Sequence, residues 1–313
     1  PTTDDHAADR QSWRMPELTY PQDNPFSEAK YELGRMLFFD PRINREAVSC
    51  ARCHHPGMNW ANNQARTLIN GKVLPRHTPS LINVAYNRSF FWDGRAKTLE
   101  ECIAQHFGGM DMPDMADDTV TRVRLIQGYE PWFQKAFGAR GINAQTIAQS
   151  LATFVRGIIV NDSPFDRWVA GDDEALSSSA KRGFALFTGK AGCVKCHTPP
   201  HFSDFSYHRT GTNSIDPGRY EITGREEDRN AFRTPQLRQI AETAPYMHTG
   251  QKATLADVIH FYESAGDVRS RGQELRAFKL DERETKDLIA FLKSLSGTPV
   301  RAEIPILPAL RTH

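Results

Sequence analysis

Four of the five cysteines in this 313-residue chain fall in two matching units, Cys50-Ala51-Arg52-Cys53-His54 and Cys193-Val194-Lys195-Cys196-His197. Two thiols three residues apart, followed at once by an imidazole, suit covalent attachment of a haem. The thiols add to its two vinyl groups, and the histidine is held beneath the iron as proximal ligand. A zinc site or a redox-active dithiol would explain one such unit in isolation. At this composition a unit arises by chance on the order of 0.003 times per chain, so the pair sets those readings aside. The residues thus imply two covalently bound haem c groups, one on Cys50, Cys53 and His54 and one on Cys193, Cys196 and His197. Cys102 alone is left over, which leaves no disulfide framework.

Such groups need helices to hold them, and the sequence supplies two sets. Gly34-Arg35-Met36-Leu37-Phe38 leads into the first haem unit as Gly183-Phe184-Ala185-Leu186-Phe187 leads into the second. Downstream, Thr78-Pro79-Ser80-Leu81 recurs as Thr234-Pro235-Gln236-Leu237, Gly94 as Gly250, and Thr98-Leu99 as Thr254-Leu255. All of these lie at one offset, so the halves read as copies of a single unit. A helix capped by Thr254 carries Leu255, Val258, Ile259 and Tyr262 on one face, matched by Leu99, Cys102, Ile103 and His106. Cys102 then reads as a small apolar-face residue. If these helices lie over the open faces of the haems, Tyr262 and His106 point polar tips at the two irons; otherwise they pack at a domain interface. The expected class is mainly α, with two cytochrome c-like haem domains related by an internal repeat, residues 1–162 and 163–313. The turn chemistry of Asn161-Asp162-Ser163-Pro164 follows the apolar segment Ile147 to Val160 and marks the boundary.

Composition restricts the remaining classes. Hydrophobic residues make up 39% and charged residues 25%, ordinary for a globular protein, and no apolar run is long enough for a membrane span. The formal charge is +1, but four haem propionates would bring it to about −3 if all ionise. A nucleic-acid or anionic-membrane partner gains nothing from that balance. The chain begins at Pro1, which fits an exported, periplasmic form without its signal segment.

Beyond the haem units, Phe91-Trp92-Asp93-Gly94-Arg95-Ala96, Phe202-Ser203-Asp204-Phe205-Ser206-Tyr207-His208 and Ala244-Pro245-Tyr246-Met247-His248-Thr249-Gly250 resemble the dihaem cytochrome c peroxidase and MauG superfamily. The resemblance covers nearly the whole chain. It implies that the first haem meets hydrogen peroxide, that the second transfers electrons, and that Trp92 couples the two. Tyr262 stands where ordinary peroxidases place a methionine, as in MauG-type enzymes; an oxygen ligand there would favour ferric and higher states. Met247 is a rival ligand, set in a turn at the position of Phe91. His106, proline in MauG, is an acid–base residue, a sixth ligand or a structural neighbour, and Asp111 matches a glutamate of the family's distal segment. Ile69-Asn70-Gly71 replaces the region of a ligating histidine, so reductive activation is not implied. His77 replaces an asparagine that ligates calcium in relatives; calcium stays open, although imidazole suits it poorly.

By this resemblance the chain is a peroxide-using haem enzyme of the MauG-like branch that oxidises a tryptophan of a partner protein. Lys190-Ala191-Gly192 fills the stretch where MauG carries its surface tryptophan, which argues against the methylamine dehydrogenase precursor as substrate. The compact chain is similar to the MauG relatives of methanobactin operons (MbnH type), which implies a copper-binding MbnP-type partner. The alternatives are a dihaem peroxidase drawing electrons from a small redox protein, and a non-catalytic dihaem electron carrier.

Overall fold

The computed structural model describes residues 10–107, 116–212, 214–268 and 274–311. Helices dominate: α1 Glu28–Phe39, α2 Cys50–Cys53, α3 Leu99–Phe107, α4 Ala116–Leu125, α5 Glu130–Phe137, α6 Ala144–Arg156, α7 Pro164–Val169, α8 Ser178–Thr188, α9 Tyr220–Thr223, α10 Leu255–Glu263 and α11 Glu282–Lys293. Two small antiparallel sheets accompany them, β1 Leu68–Ile69 with β2 Lys72–Val73, and β3 Tyr207–Arg209 with β4 Ala231–Arg233.

Each half is organised by one helix pair, α1 against α6 and α8 against α11. The reason lies in two glycines. A Cβ on Gly34 would sit 2.0 Å from the Ser150 carbonyl oxygen, and one on Gly183 would sit 2.0 Å from that of Asp287. Only hydrogen fits at either crossing, so the leading helix of each half can press backbone to backbone on its partner. Asn143 with Thr146 and Asp281 with Glu284 form capping boxes at the starts of α6 and α11, satisfying otherwise orphaned amides. Phe154 and Phe291, next to these crossings, are fully buried, each worth about 2–3 kcal/mol of burial.

Two separate cores result. The first gathers Leu33, Phe38, Trp60, Phe133, Leu151 and Phe154; the second gathers Phe165, Phe184, Phe187, Phe202, Leu288 and Phe291. The chain ends are exchanged between them. Trp13, near the start, is buried in the second core, whereas Val300 and Ala302 pack on the first. Trp60 Nε1 donates to the Val300 carbonyl at 2.8 Å, and the amides of Gly128 and Gln127 donate to the carbonyls of Ala309 and Leu310.

The halves meet in an approximately reciprocal way. His77 N donates to the His248 carbonyl at 2.7 Å, and Arg233 N donates to the Trp92 carbonyl at 2.8 Å. These four residues form two pairs at the repeat offset, so the junction is the same contact made twice. The turns carrying it match as well: Phe91 and Met247 have φ of 63° and 70°, and short bridges close at Phe90–Ala96 and Tyr246–Lys252. Among the described residues no helix is long and apolar enough to cross a membrane.

Candidate dihaem site

The single turn of α2 sets Cys50 and Cys53 on one side, and His54 N closes it on the Cys50 carbonyl at 2.9 Å. A 3-10 turn does the same for Cys193 to Lys195, with His197 N on the Cys193 carbonyl at 2.9 Å. In each half the histidine is then oriented from behind. His54 Nδ1 donates to the Trp60 carbonyl at 3.3 Å and His197 Nδ1 to the Phe202 carbonyl at 2.8 Å. Pro79 and Pro235, from the repeated Thr-Pro motif, bring further carbonyls near these rings. With Nδ1 used in this way, Nε2 is the nitrogen left for a metal. Burial lowers the basicity of both rings, His54 to about 4, so both are neutral and their lone pairs are available. The donor sets fit two haem c groups.

Opposite these motifs the two candidate distal residues differ in chemistry. On α3, His106 Nδ1 donates to the Cys102 carbonyl at 2.8 Å, and its ring stacks on Phe91 at 5.0 Å between centroids. The Arg95 guanidinium lies over the Phe91 ring at 3.9 Å. Burial first, then the Arg95 charge, depress the His106 pKa, and His106 in turn helps depress that of His54. The result is a neutral imidazole whose Nε2, with Nδ1 committed to the Cys102 carbonyl, is the nitrogen left to accept a proton. On α10, Thr254 and Asp257 form a capping box, and Tyr262 lies near Cys193 and Cys196; burial is the main cause that raises its phenol pKa. His106 is exposed and Tyr262 half-buried by surface area, yet both have enough protein packed around them to be desolvated. Met247, the rival ligand, holds the left-handed turn position corresponding to Phe91.

Trp92 lies at the junction. Its Nε1 donates to the His77 carbonyl at 2.9 Å, its own carbonyl is held by Arg233, and its ring meets His248 edge-on at 6.4 Å. His77 Nδ1 is already committed to the Gln64 carbonyl at 2.9 Å, which leaves little of its ring for calcium. Asp111 lies outside the described residues.

Other residues at the site were not singled out by their sequence. Arg76 binds Asp93 and also grips Asp216 through Nε and Nη2 at 2.7 and 2.8 Å, tying the halves beside Trp92. His208 is held between Asp204 at 2.8 Å and Glu274 at 2.6 Å next to Cys196, and is pushed up to about 10, with the Cys196 sulfur first and the carboxylates following among the causes. The quoted motif around Tyr207-His208 signalled that this segment mattered but not what it held.

Comparison with known proteins fits this geometry. Residues 28–174 match the family model for di-haem cytochrome c peroxidase. The methylamine utilization protein MauG of Methylorubrum extorquens is 41% identical over 97% of this chain and 89% of its own length. Cytochrome c551 peroxidase of Nitrosomonas europaea is 36% identical over 88% of this chain and 83% of its own. Among solved structures, a MauG-like protein associated with microbial copper homeostasis superposes with a TM-score of 0.80 at 30% identity, covering 91% of this chain and 95% of the other. With two matched thiol–thiol–imidazole motifs in a mostly helical pair of domains, and relatives of this closeness along nearly its whole length, the chain belongs to the MauG and dihaem cytochrome c peroxidase family, with two covalently bound haem c groups and peroxide-using oxidoreductase activity.

Proposed function

We propose that this enzyme uses hydrogen peroxide to oxidise a tryptophan of a partner protein in the periplasm, in the manner implied for the MauG-like branch. The observation that carries the reading is the unlike pair at equivalent positions, the imidazole of His106 on α3 and the half-buried phenol of Tyr262 on α10. The haems, once attached, supply iron that takes two oxidising equivalents from peroxide. The chain's own residues then divide the work. His54 and His197 hold the two irons. His106 accepts and returns the peroxide proton through Nε2, with Asp111 as a second proton-transfer group. Tyr262 closes the second haem with an oxygen donor, which favours storage of oxidising equivalents over electron delivery at high potential. Trp92, braced at the junction by His77 and Arg233, couples the two sites. The division into residues 1–162 for the peroxide site and 163–313 for the storage site belongs to the same proposal.

The likeness to a MauG-like protein associated with copper homeostasis supports a copper-binding, MbnP-type partner. The test is mass spectrometry of proteins encoded beside this gene after incubation with the loaded enzyme and peroxide. Added oxygen on a tryptophan is expected, and its absence from every neighbour would sink the proposal. A second reading, peroxide reduction with electrons from a small redox protein, draws on the 36% identity to a cytochrome c551 peroxidase. Steady-state turnover with reduced donors distinguishes it.

A further inference from the structure

The proximal histidines are backed by unlike aromatic surroundings. Behind His54, the residue accepting its hydrogen bond is itself a tryptophan, Trp60, whose indole is fixed by the Val300 carbonyl. Behind His197 the corresponding residue is Phe202, and the indole comes from the N-terminal tail: Trp13 lies 4.6 Å from the Phe202 ring. Trp13 is only 1% exposed, and its Nε1 has no hydrogen-bond partner among the described residues. From there the rings continue outward. Phe184 lies 5.5 Å from Trp13 and 5.5 Å from Trp168, and Phe165 lies 6.0 and 5.7 Å from the same two indoles. Trp168 is half-buried on α7, beneath the Arg10 guanidinium at 3.9 Å, which is paired with Asp173.

We propose that Trp13 and Trp168 form an electron relay from the protein surface to the proximal side of the second haem. Indole gives up an electron far more readily than a phenyl ring, so the two tryptophans are the stations and the phenylalanines between them the packed medium. Among the described residues Trp13 has no base at its N–H, so it loses and regains an electron while keeping its proton. At Trp168 the cation over the ring disfavours positive charge on the indole, which holds the oxidising equivalent inward until a donor arrives. Each passage takes one electron from Trp168 through Trp13 to the second haem's side, and the electron-rich indole of the partner protein's tryptophan returns one electron to Trp168. Two passages discharge the two equivalents of one peroxide, whose oxygens leave as water with two protons. This entry point makes no use of Lys190-Ala191-Gly192, where the sequence has no tryptophan. The inference rests on the reading of the second haem as the store of oxidising equivalents.

The test uses the loaded enzyme with peroxide and no donor, in the presence of the spin trap 2-methyl-2-nitrosopropane. Peroxide consumption is followed in the same tube, and tryptic fragments are analysed by mass spectrometry. The adduct is expected on the fragment beginning at Trp168, absent in Trp168→Phe and reduced about tenfold in Trp13→Phe. Arg10→Ala, which removes the guanidinium over Trp168 together with its pair to Asp173, is expected to raise the yield. Consumption of peroxide without label on Trp168, or an unchanged yield in Trp13→Phe and Arg10→Ala, overturns the relay. Absorption spectra of the same samples separate the two claims. Charge sharing between the haems without label removes the relay alone, whereas oxidation confined to the first haem removes the storage reading on which the relay rests.

Discussion

The two halves share a backbone plan and diverge at the side chains that face the haems and each other. Gly34 and Gly183 make the same helix crossing, His54 and His197 each donate Nδ1 to a backbone carbonyl a few residues downstream, and the junction contact is made twice. At equivalent positions, however, stand His106 and Tyr262, Trp92 and His248, and Arg76 and Phe232. Duplication thus supplied two equal haem pockets, and a few substitutions on an unchanged frame made one suited to proton transfer and the other to closure. Because the frame is shared, moving a residue from one half to the other is a direct test of what each position does.

The largest effect is expected from His106→Tyr, which places the second half's phenol over the first haem. If α3 and α10 are equivalent, peroxide and cyanide binding at the first haem will be lost and the peroxide reaction will slow by at least about 10³-fold, within the range for removing a general acid–base group. Stopped-flow absorption measures both. Cyanide binding at the original affinity would show that α3 does not face the iron and would break the correspondence.

A stability test addresses the junction. Arg76 has no counterpart in the second half, and its ion pairs with Asp93 and Asp216 are almost fully buried. Arg76→Met leaves Asp216 without its guanidinium and should cost about 3 kcal/mol. Guanidinium unfolding followed separately at the two haem bands should show one transition splitting into two. A single unshifted transition would mean that the backbone contacts alone couple the halves. Next in size, Tyr262→Met restores the donor of ordinary peroxidases. Partner oxidation should fall about 10²-fold and the second haem's potential should rise, while donor-driven peroxide reduction survives. Spectroelectrochemistry with a partner-oxidation assay checks this, and an unchanged potential would remove Tyr262 from the iron.

What could be read in the sequence was local or repeated. The haem motifs, the Thr254 cap and the matched Thr-Pro segments are short patterns whose chemistry is complete within a few residues, and the common offset aligned the distal positions. The junction network was hidden because Arg76 and Asp216 are 140 residues apart and break the repeat instead of following it. Trp13 was equally invisible: a single tryptophan in a polar leading segment has no periodicity to place it, and only the fold brings it under Phe202.

The exchanged tails give the smallest effect and sharpen the comparison last. A chain ending at Pro299 loses the Val300 carbonyl that satisfies Trp60 Nε1, and the Ala309 and Leu310 carbonyls that satisfy the amides before α5. The apolar burial that goes with them is mainly that of Val300, Ala302 and Pro308, since Ile304 and Ile306 are 79% and 97% exposed. The loss includes about 1–2 kcal/mol of hydrogen bonding once solvent replaces the exposed ones. It should fall on the first half alone, read as faster amide exchange in α1 and around Trp60 with α8 and α11 unchanged. Equal loosening of both halves would mean that the tails clamp the junction and do not each serve one core.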